Sequence, residues 1–283
     1  MSKTKERIRE SALRYRQSLG QNFIYDGDLL ASLVEAAGVT PEEDVLEIGP
    51  GAGSLTKPLC EKAHRVVSLE LDERLIPLLE AFMAGRENFH LVQGDVMTAD
   101  LKALTEGMRT PFAVVANIPY YITTPLILRL LDSGLPISRM ALMVQKEVAE
   151  KILSSPGQEG WGPLALRCRY ACEPRVAMEV PAACFTPKPK VDSAFVVMPF
   201  RKEPPVKVRN EGDFFRMAGA AFALRRKTMA NALSASLHLE RAEALEIMAA
   251  AGLDDKIRGE RLTMEEIGAL ADVWTERKGA DHA

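Results

Sequence analysis

Between residues 44 and 200, short runs of β-branched and other apolar residues alternate with stretches that have helical spacing. Strands that alternate with helices form a parallel sheet that is covered on both faces. The first five runs predict strands over 44–48, 66–71, 89–95, 112–117 and 140–144. The sequence therefore predicts an α/β fold with a mostly parallel sheet.

The pattern changes after residue 174. Two strand-like runs, 175–180 and 193–198, have no long helix between them, which favours an antiparallel hairpin that closes one edge of the sheet. A charged segment with a Pro-Pro pair begins at residue 201 and marks a boundary. We predict a sheet domain over 1–200 and a smaller helical domain over 201–283. The helices predicted in the second domain are 213–239, 241–251 and a short one from residue 264.

The formal net charge of −3 hides a segregation of charge along the chain. Residues 1–17 carry +4 and residues 201–231 carry +5, whereas 18–200 carry −7 and 232–283 carry −5. Basic clusters are typical of surfaces that contact a phosphate backbone, although solvated helix faces give the same pattern. The four cysteines and four histidines are too scattered for a metal site. No apolar run approaches the ~20 residues of a membrane span, and we expect a cytoplasmic protein.

A glycine-rich turn, Glu47-Ile-Gly-Pro-Gly-Ala-Gly, follows the first predicted strand. Gly49 and Gly51 allow a tight turn and let a ligand approach the main chain. Glu70 lies at the end of the second strand, where its carboxylate can accept both ribose hydroxyls of a nucleoside. The GxGxG spacing differs from the GxGxxG of dinucleotide sites. It therefore favours S-adenosylmethionine, which has no pyrophosphate, over a nicotinamide cofactor.

Asp95 follows the third predicted strand, at the same edge of the sheet. Its carboxylate can accept a hydrogen bond from the exocyclic amine of an adenine. An Asp at this position also commonly caps the next helix, and the sequence leaves both roles open.

The motif Asn117-Ile-Pro-Tyr follows the fourth predicted strand and is the most specific signal in the chain. An aromatic amine is a poor nucleophile because its lone pair is delocalised into the ring. Acceptors for both of its N–H groups, here the Asn117 side-chain carbonyl and the Ile118 backbone carbonyl, would turn the lone pair toward a methyl donor. Pro119 restricts the conformation of Ile118, and Tyr120 offers an aromatic face on which a base can stack.

Two further segments hold candidate RNA contacts. In Phe185-Thr-Pro-Lys-Pro-Lys, two prolines stiffen the loop, and Phe185 is either a second stacking surface for an extruded base or a core residue. Lys188 and Lys190 can contact phosphates. The second segment contains three adjacent cations, Arg225, Arg226 and Lys227. It forms either a sequence-independent contact with the RNA backbone or a solvated helix end.

Taken in order, these motifs resemble the ribosomal RNA adenine N6,N6-dimethyltransferases of the bacterial KsgA type. The resemblance runs from residue 17 to about 235 and includes Gln21-Asn-Phe. It implies a Rossmann-like, S-adenosylmethionine-dependent methyltransferase sheet. It also implies dimethylation of two adjacent adenines in a stem-loop near the 3′ end of small-subunit (16S) ribosomal RNA, with a role in biogenesis of that subunit. The expected partners are the small subunit and its RNA, with no metal and no membrane, and we expect a monomer.

The resemblance also assigns residues. It places Asn22 and Ile24 in an N-terminal segment that closes over the cofactor, and Phe185 against the target base. The residues that it assigns to the rest of the cofactor site are Gly49, Gly51, Glu70, Asp95 and Asn117. Those that it assigns to the catalytic motif are Asn117, Ile118, Pro119 and Tyr120. Residues 158–165 depart from the family pattern, and the resemblance gives them no role.

Three other functions compete with this hypothesis. A large-subunit ribosomal RNA methyltransferase of the antibiotic-resistance type resembles the same core, but such chains tend to be strongly basic, unlike this one with its net charge of −3. A ribosome assembly factor with little activity would have no need of the intact Asn117-Ile-Pro-Tyr motif and Glu70. A nicotinamide-dependent dehydrogenase is disfavoured by the glycine spacing and by the lack of an evident acid or base for hydride transfer.

Overall fold

The computed structural model describes residues 22–224 and 226–280. Its contacts divide the chain into two compact units. The first unit extends through residue 149 and resumes over 172–200, and the second combines 150–171 with the chain from residue 201 onward. The predicted boundary after residue 200 is thus one of the crossings between the units. The second unit also takes up 150–171, because Trp161 and Tyr170 pack into its apolar core.

The first unit contains a seven-stranded sheet and a separate pair of short strands. The strands in chain order are β1 (Phe23–Ile24), β2 (Asp44–Ile48), β3 (Arg65–Glu70), β4 (Phe89–Gln93), β5 (Phe112–Asn117), β6 (Ile137–Gln145), β7 (Arg175–Val180), β8 (Phe185–Thr186) and β9 (Ser193–Pro199). The order across the sheet is β4-β3-β2-β5-β6-β9-β7, and β1 pairs with β8. Strands β2 to β6 pair in parallel, whereas β9 is antiparallel to both β6 and β7. The predicted parallel sheet with an antiparallel hairpin at one edge is confirmed.

Helices follow most of these strands. They are α1 (Gly27–Ala37), α2 (Thr56–Lys62), α3 (Ile76–Met83), α4 (Leu101–Leu104), α5 (Thr123–Asp132) and α6 (Lys146–Leu153). Strand β2, between β3 and β5, is buried along its whole length, and the central strand β5 is buried up to Ala116. Strands covered on both faces have continuous apolar runs, which is why these runs are readable in the sequence. The chain enters α1 at Asp26, whose side chain accepts hydrogen bonds from the backbone N–H groups of Asp28 and Leu29.

The second unit is helical. Its helices from residue 163 onward are α7 (Pro163–Ala171), α8 (Glu211–Ala223), α9 (Met229–Leu237), α10 (Arg241–Ala250) and α11 (Met264–Ala280). The apolar core includes Trp161, whose indole N–H donates to the Leu262 carbonyl at 3.2 Å. Residues 158–165, which depart from the family pattern, therefore contribute to the core of this unit. Among the described residues, no helix is both long and apolar enough to cross a membrane.

Two of the helices predicted from the sequence are wrong in extent. The single helix predicted over 213–239 is two helices, because Thr228 pairs with Arg258 and the Met229 N–H donates to the Ile257 carbonyl at 2.7 Å. This pairing interrupts the helix between the end of α8 and the start of α9. The short helix predicted from residue 264 has 17 residues, because Leu270 and its neighbours bury an apolar face in the core.

Gly259 gives a test of this packing. A Cβ atom there would overlap the backbone carbonyl of Ala221, which cannot move without shifting α8. We expect Gly259→Ala to lower the free energy of unfolding by roughly 1–3 kcal/mol, measured by urea denaturation. Gly219→Ala is the matched control, because Gly219 is exposed within α8 and its Cβ would meet nothing within 4 Å. That change should instead stabilise the protein by about 0.5–1 kcal/mol. Equal effects of the two changes would contradict this packing.

Candidate active site

A cavity lies at the edge of the sheet where the parallel strands of the first unit end. The carboxyl ends of neighbouring parallel strands meet at one edge, so residues far apart in sequence come together there. The candidates named from the sequence that line this cavity are Asn22, Ile24, Gly49, Gly51, Glu70, Asp95, Asn117, Ile118, Pro119 and Tyr120. The topology therefore gathers every cofactor and catalytic candidate except Phe185.

The glycine-rich turn after β2 has a backbone shape that only glycine adopts readily. Gly49 and Gly51 have φ angles of 69° and 60°, in the left-handed region. The Gly51 N–H donates to Glu70 Oε2 at 2.9 Å, so the turn is fixed against the end of β3. A Cβ atom on Gly51 would also lie 2.6 Å from the ring of Phe23. Backbone conformation and space both require glycine at this position.

Glu70 is buried and its carboxylate is held by the main chain. Besides the bond from Gly51, its Oε1 accepts from the Asp72 N–H at 2.7 Å. Burial raises the pKa of Glu70, and the backbone hydrogen bonds oppose that rise. An ionised carboxylate has about four acceptor positions, and the backbone N–H groups of Gly51, Leu71 and Asp72 leave at least one of them for a ribose hydroxyl. The residue fits the nucleoside of S-adenosylmethionine.

Glu47 is a second buried carboxyl group in the cavity wall. The Ser68 hydroxyl donates to Glu47 Oε2 at 2.6 Å, and burial raises the pKa of Glu47 to about 7. Hydrogen bonds from the side chains of Ser68 and Thr56 oppose this rise. Glu47 is therefore a buried carboxyl group in the cavity wall whose side-chain partners are Ser68 and Thr56. The sequence showed Glu47 only as the start of the glycine motif.

Asn117 is oriented by the segment before β1. Its side-chain Nδ2 donates to the backbone carbonyl of Asn22 at 3.0 Å. This bond requires the amide nitrogen of Asn117 to face Asn22, and the acceptor oxygen Oδ1 therefore points away from the Asn22 carbonyl. Ile118 is buried, and Pro119 follows it with φ −59° and ψ 134°. The turn after β5 therefore has a restricted backbone and a restricted asparagine side chain.

Two tyrosines follow Pro119 in a short 3₁₀ turn, and both line the cavity. The Tyr120 hydroxyl lies 2.7 Å from Ser193 Oγ, and burial raises its pKa, so the phenol is neutral near pH 7. Tyr121 is 58% exposed and Leu71, after Glu70, is 45% exposed. The sequence analysis missed these two apolar surfaces. Their positions directly after Tyr120 and Glu70 are the signal that would have found them.

Asp95 does not cap the next helix, because the N-cap of α4 is Asp100, whose side chain accepts from the N–H groups of Lys102 and Ala103. Asp95 Oδ1 accepts from the Met97 N–H at 2.8 Å, and its backbone carbonyl accepts from the Ala99 N–H at 2.8 Å. It also lines the cavity. Asp95 therefore forms an Asx turn rather than a helix cap, and its contact to an adenine amine stays a prediction.

Phe185 lies away from the cavity lining. It is 3% exposed, pairs with Ile24 across β8 and β1, and belongs to the apolar core of the first unit. In this structure it occupies the core position that was the alternative to base stacking, because the short strand pair turns it inward. The loop after it exposes Lys188 and Lys190.

Two of the candidate RNA-binding cations of the helical unit, Arg226 and Lys227, lie between α8 and α9. Arg226 and Lys227 are exposed, whereas Arg225 and the basic segment 1–17 lie outside the described residues. The pairing of Thr228 with Arg258 brings another exposed cation toward this segment. No local pattern in the sequence predicted that approach, since 30 residues separate the paired positions.

A parallel sheet with one antiparallel strand, together with a cavity beside Glu70 and a GxGxG turn, defines the class of Rossmann-like S-adenosylmethionine-dependent methyltransferases. The sequence model of the ribosomal RNA adenine dimethylase family matches residues 12–272. Ribosomal RNA small subunit methyltransferase A of Alkaliphilus metalliredigens is 40% identical over 282 residues and covers 98% of each chain. The protein of that name from Moorella thermoacetica is 42% identical over 271 residues, covering 93% of this chain and 94% of its own. The chain belongs to the ribosomal RNA adenine dimethylase family, as its motifs predicted.

Two solved structures share the fold over most of the chain. A dimethyladenosine transferase from Plasmodium falciparum superposes with a TM-score of 0.76 at 23% identity, covering 91% of this chain and 98% of its own. The 23S rRNA methyltransferase ErmE superposes with a TM-score of 0.68 at 28% identity, covering 89% and 98%. At 23% identity, the similarity to the Plasmodium falciparum protein supports the fold alone.

The buried carboxyl group of Glu47 predicts how stability depends on pH. Its native pKa of about 7 lies above the 4.5 of an exposed glutamate, so between these values the native state holds a proton that the unfolded chain has released. The free energy of unfolding should therefore fall as pH rises from about 4.5 through 7, by up to roughly 3 kcal/mol. Glu47→Gln should remove this part of the pH dependence, measured by urea denaturation of both proteins at pH 5 and 8. A constant difference between them would contradict the prediction.

Proposed function

We propose that this protein transfers methyl groups from S-adenosylmethionine to N6 of two adjacent adenines in a stem-loop near the 3′ end of small-subunit (16S) ribosomal RNA. The product is N6,N6-dimethyladenosine, and the reaction takes part in biogenesis of the small subunit in the cytoplasm. The observation that carries the proposal is the Asn117 carboxamide, held by Asn22 in the wall of the cavity after β5. The curated relatives at about 40% identity bear the name of a small-subunit enzyme.

The cofactor site would use the residues around β3 and β4. S-adenosylmethionine supplies a methyl group on a positively charged sulfur, which leaves as a neutral thioether. Glu70 would accept a ribose hydroxyl with an acceptor position that its backbone bonds leave over. Leu71 would cover one face of the adenine ring, and Asp95 would accept from its exocyclic amine. Asn22 and Ile24 would close the cavity from the N-terminal side.

The target adenine would be held by the turn after β5. In the first transfer, Asn117 Oδ1 and the Ile118 carbonyl would accept the two N–H groups of the amine and turn its lone pair toward the methyl carbon. In the second transfer, the methylated amine would donate its one remaining N–H to one of these two acceptors. Pro119 would keep the Ile118 carbonyl in place. Tyr120 is neutral, so it would act through its aromatic face rather than as a base. The proton of the amine is then released to water after the bond to carbon forms.

The RNA backbone would meet exposed cations in both units. Lys188 and Lys190 belong to the first unit, and Arg226 and Lys227 to the second. Contacts of this kind add affinity without reading sequence. Selection of the adenines then depends on the shape of the RNA and on the cavity.

Methylation of large-subunit RNA is the second candidate, because ErmE is similar over 89% of the chain. Incubating the protein with labelled S-adenosylmethionine and under-methylated small or large subunits, followed by digestion to nucleosides, separates the two candidates. We expect labelled N6,N6-dimethyladenosine from small subunits. Label confined to large subunits would favour the second candidate, and absence of labelled adenosine from both would remove the proposal.

Asn117→Ala tests the orientation of the amine. We expect kcat on under-methylated small subunits to fall about 100-fold or more, because a misplaced nucleophile loses the advantage of alignment. The Kd of S-adenosylmethionine, measured by calorimetry, should change by no more than about threefold. Asn88→Ala is the matched control, since the Asn88 amide binds the carbonyls of Cys60 and Ala63 away from the cavity lining. An Asn117→Ala enzyme with an unchanged rate would contradict the mechanism.

Reversing charge at Arg226 and Lys227 tests the backbone contact. The double change Arg226→Glu and Lys227→Glu should weaken binding to small subunits and flatten its dependence on salt. Each lost phosphate contact should reduce the log–log slope by on the order of one. The control reverses Lys57 and Lys62, which lie exposed on α2. Identical slopes for both double variants would show that Arg226 and Lys227 are only solvated surface.

A further inference from the structure

The hydroxyl of Tyr120 is bonded to an internal strand of the sheet, although Tyr120 itself lies in a short turn. The oxygen atoms of Tyr120 and Ser193 are 2.7 Å apart. Ser193 is fully buried at the start of β9, where it pairs with Gln145 of β6 on one side and Val180 of β7 on the other. The Tyr120 side chain, on a turn, is thus hydrogen-bonded to a buried residue whose strand is paired on both sides.

The direction of β9 explains why a serine of this strand reaches Tyr120, which lines the cavity. Because β9 is antiparallel to β6, its first residue lies at the edge where the parallel strands end. Asn117 pairs with Met143 of β6, and Met143 pairs with Phe195 of β9. Met143 and Phe195 both line the cavity. Ser193 precedes Phe195 by two residues, on the same face of β9 and closer to the cavity edge.

We propose that Ser193 is a positioning residue for methyl transfer, which fixes the ring of Tyr120 so that its aromatic face meets the target base. The inference rests on the proposed function. A tyrosine ring has two rotatable side-chain bonds. A hydrogen bond to its oxygen fixes the first of them, and it favours certain ring planes because a phenolic O–H prefers to lie in the plane of its ring. The hydroxyl of Ser193 does this from a strand that cannot shift without breaking pairs on both sides. The ring is therefore oriented before the base arrives, which is the condition under which stacking aids alignment.

The Tyr120 phenol has no role as a base in this proposal. Burial raises its pKa, so the hydroxyl keeps its proton and serves as a hydrogen-bonding group only. Removing either partner should then have the same consequence. Ser193→Ala removes the partner of the Tyr120 hydroxyl, so the ring loses the hydrogen bond that orients it. Tyr120→Phe keeps the aromatic face but removes the same hydrogen bond.

The test is a double-mutant cycle on methylation of under-methylated small subunits at saturating S-adenosylmethionine. We expect Ser193→Ala and Tyr120→Phe each to lower kcat about 10-fold, the effect of losing one hydrogen bond of ordinary strength. The variant with both changes should be no slower than either single variant, because the two changes remove the same interaction. The Kd of S-adenosylmethionine should remain within about twofold of the wild-type value. A purely structural role for Ser193 would lower the unfolding midpoint without this pattern in kcat.

Ser138→Ala provides the matched control. Ser138 lies on β6 at the opposite edge of the sheet, and its hydroxyl donates to Glu43 Oε1 at 2.8 Å and to the Phe112 carbonyl at 3.0 Å. This change also deletes a hydrogen-bonded hydroxyl from a strand. It should leave kcat unchanged. A decrease in kcat equal to that of Ser193→Ala would show that any such deletion slows the enzyme, and would overturn the inference.

The remaining outcomes are also decisive. Wild-type kcat in Ser193→Ala, or multiplied losses in the double variant, would overturn the role of Ser193 while the proposed function stands. If Ser193→Ala does not fold, Tyr120→Phe removes the same bond without a cavity, and wild-type kcat in that variant would overturn the inference. Failure of the wild-type protein to methylate small subunits would overturn the proposed function and this inference with it.

Discussion

The candidate site depends on the parallel arrangement of β2 to β5, which places the ends of four strands at one edge of the sheet. The chain leaves that edge through a glycine-rich turn, an acidic residue, an Asx turn and the Asn117 motif. The hydrogen bond from Gly51 to Glu70 then joins two of these segments at 2.9 Å. Without parallel strands, these residues would lie at opposite ends of the sheet, and no single cavity could receive a nucleoside and a base.

Groups outside the Asn117-Ile-Pro-Tyr motif orient the side chains within it. The Asn22 carbonyl holds the Asn117 amide, and the Ser193 hydroxyl holds that of Tyr120. Both contacts join segments more than 70 residues apart in the chain. Such an arrangement suits a reaction that needs alignment more than a strong base, because the leaving group is neutral and the nucleophile is weak. The buried carboxyl groups of Glu47 and Glu70 add polar contacts to the cavity wall, and burial strengthens a hydrogen bond relative to one in water.

The strands and the antiparallel hairpin were predictable because buried strands have continuous apolar runs and turns have distinctive residues. The break between α8 and α9 was not predictable, since no proline interrupts 213–239 and the break depends on Thr228 pairing with Arg258. The sequence also did not predict that 150–171 belongs to the helical unit. Trp161 packs in the core of that unit through contacts with distant segments, such as its hydrogen bond to the Leu262 carbonyl. The resemblance placed Phe185 against the target base, whereas the pairing of β8 with β1 places it in the apolar core, which the residues alone gave as the alternative.

By itself, the sequence determined the class of fold, the family and the residues of the glycine turn and the Asn117 motif. These depend on local features, namely apolar periodicity, backbone freedom at glycine and short runs of chemically necessary side chains. Tertiary structure alone decided which partners hold those side chains: Asn22 for Asn117, Ser193 for Tyr120 and Gly51 for Glu70. Contacts between distant segments depend on strand order and direction, and no local pattern in a single chain records them.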